Sequence, residues 1–302
     1  MNSIHELLQS SFDGLQSRLV TAGMSLQQLQ VPEFLALVSN PAAHEHYKHF
    51  CAESRALVAK IRLAHGVEGQ RLMLYAALLN GIQHTLASDR FESLPGRVRN
   101  HQLVQYRRIL ESTQPADDWL DLSLDTYHKE FGLASLRLYA AAAQLIDPRC
   151  GLPRSLLFRG GLAGVPKAVH AMWMLGGFSP YFQIHTHTAY LAEFNEEGWN
   201  ECYRTCVELY AVHPEILGMF GASWFYDPVI QEISPRLAYL SEIPLRGGAR
   251  RLPFARSGEF VEDAISTSPS RRKLFEQGKY RPESYLLAWG RDEQTKWVST
   301  NR

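Results

Sequence analysis

Near Pro115 the chain changes its pattern, and that change limits the folds open to it. Before it, apolar residues recur at spacings of three and four, broken by short polar connections. After it, helical and extended patterns alternate. A chain built this way predicts an α+β protein: an N-terminal helical layer over residues 1–125, then a mixed, largely antiparallel sheet with helices over residues 126–302. Two such units are within reach, because 302 residues at 45% hydrophobic content can fill one large core or two modest ones.

In the first part, Ile4, Leu7, Leu8, Phe12, Leu15 and Leu19 mark one amphipathic helix. Pro32 opens a second, Asn40-Pro41 a third running to about Ala64. Gly66 and Gly69 then precede an apolar helix from Leu72 to Leu86, and Pro95-Gly96 precedes Val98 to Leu110. Short connections between helices of this length predict antiparallel neighbours. Two polar groups stand out here. His44, Glu45, His46 and His49 crowd one helix start with Glu53, and His84 with Asp125 and His128 raises a helical di-iron site. Such a site needs paired Glu-x-x-His segments, and the sequence holds no second copy.

In the second part, Leu133 to Ile146 fits either state, with its alanines favouring helix. Arg154–Arg159 and Val165–Leu175 read as helices, Leu237 to Phe254 as extended chain turned at Arg246-Gly247-Gly248. Glu259–Ile265 and Ser270–Gln277 follow as helices, Tyr285–Trp289 and Lys296–Val298 as strands.

The stretch from Tyr181 to Tyr239 carries the chemistry. Tyr181 to Thr188 reads as a strand, so His185 and His187, two apart, project from one face. Paired imidazoles suit a general base with a proton carrier, or a transition metal whose further ligand comes from Glu193, Asp227 or His213. Asn195 caps a helix with Glu196 and Glu197 in its first turn, buried on Trp199, Cys202, Tyr203, Cys206 and Tyr210. Ile216 to Tyr226 is then an apolar strand interrupted by Gly218 and Gly221, where a ligand or another backbone comes close. Ser223, Trp224 and Tyr226 read as packing around it, and Asp227-Pro228 turns the chain.

From about residue 216 to 290, a strand, the turn Arg246-Gly-Gly-Ala-Arg250, a helix and a closing strand resemble the GNAT acyltransferases. That resemblance implies an acyl-CoA donor whose pyrophosphate meets Arg246, Gly247, Gly248 and Arg250. An acyl-transfer reading of the residues themselves uses an acyl-CoA or acyl-carrier donor with His185 or His187 as general base, and Glu193 and Asp227 as further catalytic candidates in the same stretch. Basic residues Arg271, Arg272, Lys273, Lys279 and Arg281 add positive charge in the same region, which suits a phosphate-bearing ligand or an acidic carrier protein.

Composition narrows the field further. Lys plus Arg equals Asp plus Glu at 31 each, so no global field draws nucleic acid. No apolar run reaches the roughly 20 residues of a membrane span, and the first residues lack the pattern of a secretory signal. Cys51, Cys150, Cys202 and Cys206 show no CxxC spacing and read as reduced thiols, so the expected location is cytoplasmic. Three functions fit: a small-molecule acyltransferase, a metal-dependent enzyme using His185 and His187, and a non-catalytic binding protein.

Overall fold

The helices begin where their caps dictate. The computed structural model describes residues 3–38, 46–112, 118–159, 165–256 and 261–301, and divides into units Met1–Ala141 and Ala142–Arg302. Ser3 and Glu6 form a reciprocal capping box that starts α1 (Ile4–Ala22), and Gly23 ends it in the left-handed conformation. α2 (Val31–Val38) follows. Two expected helices merge into α3 (Ala52–Leu86), which bends at Gly66, where φ is 70°. His44 and Glu45 lie outside the described residues.

α3 is the axis of the first unit. Every residue from Leu72 to Leu79 is buried, as expected of a helix enclosed on all sides. α1, α2, the short α4 (Asp89–Glu92) and α6 (Asp125–Ala134) all pack on it, and α5 (Gly96–Ser112) lies against α1 and α6. Where α6 ends, its last carbonyls are met by side chains. Gln102 and Tyr106 donate to the Leu133 carbonyl, and Thr85 donates to that of Ala134. The Arg137 guanidinium is buried between the rings of Phe50 and Phe131, 5.5 and 5.2 Å from their centroids, and donates to the Val38 carbonyl. Asp125 is held by Lys48 and Lys129, each at 2.6 Å. Burial would raise its pKa, but these two ammonium groups outweigh that and hold it well below the usual carboxylate range.

The alanine run does not become helix. Tyr139–Ala141 is a strand, β1, and β2 runs from Gln144 to Gly151; residues 139–146 are all buried. Burial on both faces overrides the helical preference of alanine.

In the second unit the strands run in the order β2, β3 (Pro180–His185), β4 (Gly218–Ser223), β6 (Glu283–Gly290), β5 (Arg250–Arg256). Only β3 and β4 are parallel; the other neighbours are antiparallel, so the sheet is mixed and the fold is α+β. The crossover between β3 and β4 is α9 (Glu196–Leu209), capped by Asn195 as its sequence predicts.

Each face of the sheet has its own cover. α7 (Leu156–Arg159) and α8 (Val165–Met174) bring Leu156 and Met172 onto Phe220, Leu286 and Ala288. On the other face, Tyr203 of α9 and Trp297 of α14 (Arg291–Thr300) pack on Trp289, and Tyr210 stacks on Phe182. The expected strand at Lys296–Val298 is therefore helix. So is most of the stretch expected to be extended before Arg246: after the short α10 (Ile230–Ile233) comes α11 (Tyr239–Arg246), with Pro244 near its C-terminal end. α12 (Val261–Ile265) and α13 (Pro269–Glu276) complete the unit; residues 259 and 260 of the expected helix lie outside the described residues. Among the described residues, no helix is long and apolar enough to cross a membrane.

Candidate functional site

The two parallel strands part company before they end. The Pro180 carbonyl accepts from Leu217 N–H at 3.0 Å, and the register continues through Phe182–Met219 and Gln183–Phe220. β3 nevertheless runs on to His185, and β4 to Ser223. Their outer edges stay in the sheet: Ile184 and His185 pair with Ile146 and Leu145, and Gly221 to Ser223 pair with Leu287 to Tyr285. The inner edges of these last residues border a wedge, open at the C-terminal ends of both strands. A cleft of about 120 Å³ fills it, lined by Gln144, Gln183, His185, Thr186, Trp199, Gly221, Ser223 and Tyr226 among others.

A glycine is required on this edge. A Cβ on Gly221 would lie 2.9 Å from both the Ile184 Cγ1 and the Tyr226 hydroxyl. The predicted strand through Tyr226 stops short: after Ser223 the chain winds into one turn of 3-10 helix, Trp224–Tyr226, which brings Tyr226 to the lining of the cleft. Burial pushes the Tyr226 phenol far above its ordinary pKa, so it is a neutral O–H donor and acceptor at any physiological pH. Trp199 is fully buried, and its indole N–H has no hydrogen-bond partner among the described residues.

His185 has a carboxylate behind it. Register places Asp147 opposite Gln183 and Leu145 opposite His185, so Asp147 and His185 share one face on adjacent strands. The Asp147 Oδ2 stands 4.0 Å from His185 Nε2, and the side chains are 1% and 13% exposed. A bulge between Asp147 and Cys150 shapes this corner. Pro148 sits within it, where a missing N–H is tolerated, and the Asp147 Oδ1 accepts from Arg149 N–H at 2.9 Å. Burial, together with the neighbouring Asp147, holds the Cys150 thiol well above its ordinary pKa, so it is no nucleophile here.

The other residues singled out in the sequence lie elsewhere. β3 ends at His185, so His187 is not on its face. Instead His187 is the N-cap of the 3-10 helix Thr188–Glu193, its Nδ1 accepts from Ala189 N–H at 2.9 Å, and its ring packs on Tyr190. Glu193 is exposed at the end of that helix. His213 contacts Glu215 at 3.1 Å and meets the Phe182 ring edge-on. Asp227 is buried, its two oxygens accepting from Val229 and Glu283 N–H, which ties the end of one element to the start of β6. Of the proposed catalytic set, His185 lines the cleft.

The turn at Arg246 has the opposite polarity to an anion cradle. It follows a helix instead of leading into one. The N–H groups of Gly247, Gly248 and Ala249 donate to the carbonyls of Ile243, Leu245 and Pro244. Gly247 also lies against Trp289, whose indole donates to the Gly247 carbonyl at 2.9 Å. Arg246 is exposed beside Glu242, and Arg250 opens β5 opposite Ala288.

Sequence reading missed Asp147, Gln144, Gln183 and Trp199. Asp147 left a signal, a lone charge in a run of apolar residues followed at once by proline. The glutamines left none.

No family model and no curated protein matches this chain. Among solved structures it is similar to one described as the crystal structure of an acyltransferase in complex with decanoyl-CoA. The likeness has a TM-score of 0.40 and 11% identity, and covers 73% of this chain and 64% of that one, so the match spans less than two thirds of that protein's length.

Proposed function

We propose that the second unit transfers an acyl group from a slender thioester donor, an acyl-CoA or an acyl-carrier arm, to a small nucleophile, with His185 as general base. The observation that carries this reading is the wedge between β3 and β4. Strand edges that leave the ladder present backbone donors and acceptors, and an extended arm bearing amides can bond to them as an added strand does. At about 120 Å³ the cleft has room for the thioester end of such an arm and excludes a bulky ring system, since drug-sized ligands occupy roughly 300 Å³ or more.

The chemistry follows from the same residues. The acceptor's amine or hydroxyl adds to the thioester carbonyl while its proton passes to the His185 imidazole. Collapse of the tetrahedral adduct breaks the C–S bond, and the thiolate leaves with that proton. Asp147 stabilises the imidazolium formed in between. The Trp199 N–H and the Tyr226 hydroxyl offer donors for a carbonyl oxygen. The phosphate end of a CoA donor meets no backbone cradle at Gly247 and Gly248; Arg246 and Arg250 contribute side-chain charge alone.

A metal held jointly by His185 and His187 has less support, because the His187 Nδ1 is engaged at a helix start. Thermal shift tests the donor: saturating acyl-CoA raises the melting temperature of a protein that binds it in the folded state. No shift with short-, medium- or long-chain acyl-CoA, or with free pantetheine thioesters, sinks the proposal.

A further inference from the structure

We propose that the outer face of α7 and α8 docks on an anionic phospholipid surface. The inner sides of these helices join the core through Leu156, Met172 and Leu175. Their outer sides and the turn that follows expose large apolar side chains: Phe158 at 69%, Val169 at 49%, Trp173 at 73%, Met174 at 47% and Phe178 at 47%. Isolated apolar side chains on a surface need no explanation, but five within 21 residues of two packed helices form a patch.

Charge selects the occupant. From residue 148 to 192 the sequence has no Asp or Glu, yet it holds Arg149, Arg154, Arg159 and Lys167, in a chain whose acids and bases are equal in number overall. Arg149 and Arg154 are exposed, and Arg154 lies 5.7 Å from the Phe178 ring centroid. Arg250 stands on the neighbouring β5, which α7 contacts. A protein partner is met by a rim of both signs; a surface that is apolar within and negative at its boundary is a bilayer of anionic lipid. Trp173, the most exposed of the five, is the residue type that settles at the headgroup level. With no membrane span among the described helices, the attachment is peripheral and reversible. It stands apart from the cleft chemistry, and its test uses no catalytic readout.

The experiment is vesicle co-sedimentation of the full chain at low salt, with phosphatidylcholine alone and with phosphatidylcholine and phosphatidylglycerol in equal parts. Binding is expected on the anionic vesicles, weakening as salt rises. Arg154→Gln lowers the partition roughly five-fold, the worth of one basic side chain at such a surface. Trp173→Ala lowers it roughly ten-fold or more through lost apolar contact, while far-ultraviolet circular dichroism stays unchanged. A single-site Trp173→Phe variant identifies the indole whose emission shifts to the blue on binding. Absence of binding to anionic vesicles overturns the proposal. So does binding that ignores both substitutions, or a Trp173-dependent self-association without vesicle binding, which assigns the face to a second copy.

Discussion

Asp147 and His185, on adjacent antiparallel strands, hold a carboxylate oxygen and an imidazole nitrogen 4.0 Å apart, and of the two His185 lines the cleft between β3 and β4. A buried carboxylate at that distance favours the protonated ring. Asp147→Asn removes that carboxylate with little change of volume and is therefore expected to lower turnover with a thioester donor by about ten-fold or more. Donor binding, read as the acyl-CoA thermal shift, is expected to persist. His185→Ala lowers turnover by about a hundred-fold or more, the usual contribution of a positioned base. Retained turnover in His185→Ala removes it from the chemistry.

The wedge itself is testable through its glycine. Gly221→Val places methyl groups where Ile184 and the Tyr226 hydroxyl already stand. Overpacking of this kind costs about 1–3 kcal/mol, so the urea midpoint falls. The acyl-CoA thermal shift is expected to vanish as well. A variant that keeps both its midpoint and the shift shows that the ligand binds elsewhere.

In the first unit, Arg137 links three segments through its guanidinium, meeting the rings of Phe50 and Phe131 and the Val38 carbonyl. Arg137→Met keeps much of the volume but leaves that carbonyl without its charged donor. A loss of about 2–4 kcal/mol is expected, combining the charged hydrogen bond with the cation–π contacts. Equilibrium unfolding followed by tryptophan fluorescence measures it, and an unchanged midpoint refutes the assignment.

Asp227 makes stability depend on pH in an unusual direction. Burial holds its carboxyl above the ordinary value of 3.8 despite hydrogen bonds from Val229 and Glu283 N–H. The folded chain thus keeps this proton longer than the unfolded chain does. The group's contribution is greatest below 3.8 and declines as pH rises through its raised folded value. Relative to Asp227→Asn, the wild type is expected to lose stability across that window in urea unfolding at stepped pH. A difference that stays constant with pH rules this out.

What the sequence disclosed depended on how local each cause was. Asn195 ahead of two glutamates announced a helix start because caps act within four residues. The strand from Tyr181 was legible from its alternation, but its end at His185 was not. That end is set by the last rung with β2, where Leu145 stands opposite His185, a relation between residues forty positions apart. His187 was misplaced onto the strand face for this reason. The extended reading before Arg246 failed because Pro244 suggests a break, whereas one near a helix C-terminus is accommodated in α11. Asp147 was visible as a residue but not as a partner, since only the register of β2 against β3 brings it to His185.

β5 closes one side of the sheet, and a proline occupies its middle. Pro253 pairs across to Tyr285, and the ladder shifts between Pro253 and Ala255. A proline fits such a strand only where its nitrogen faces outward, and the shift adds a local twist. Any second chain approaching along that margin would find a donor missing and a kinked track. That margin is thereby protected from lengthening the sheet with copies of the chain, and crowding or heat should drive clumping through other surfaces first.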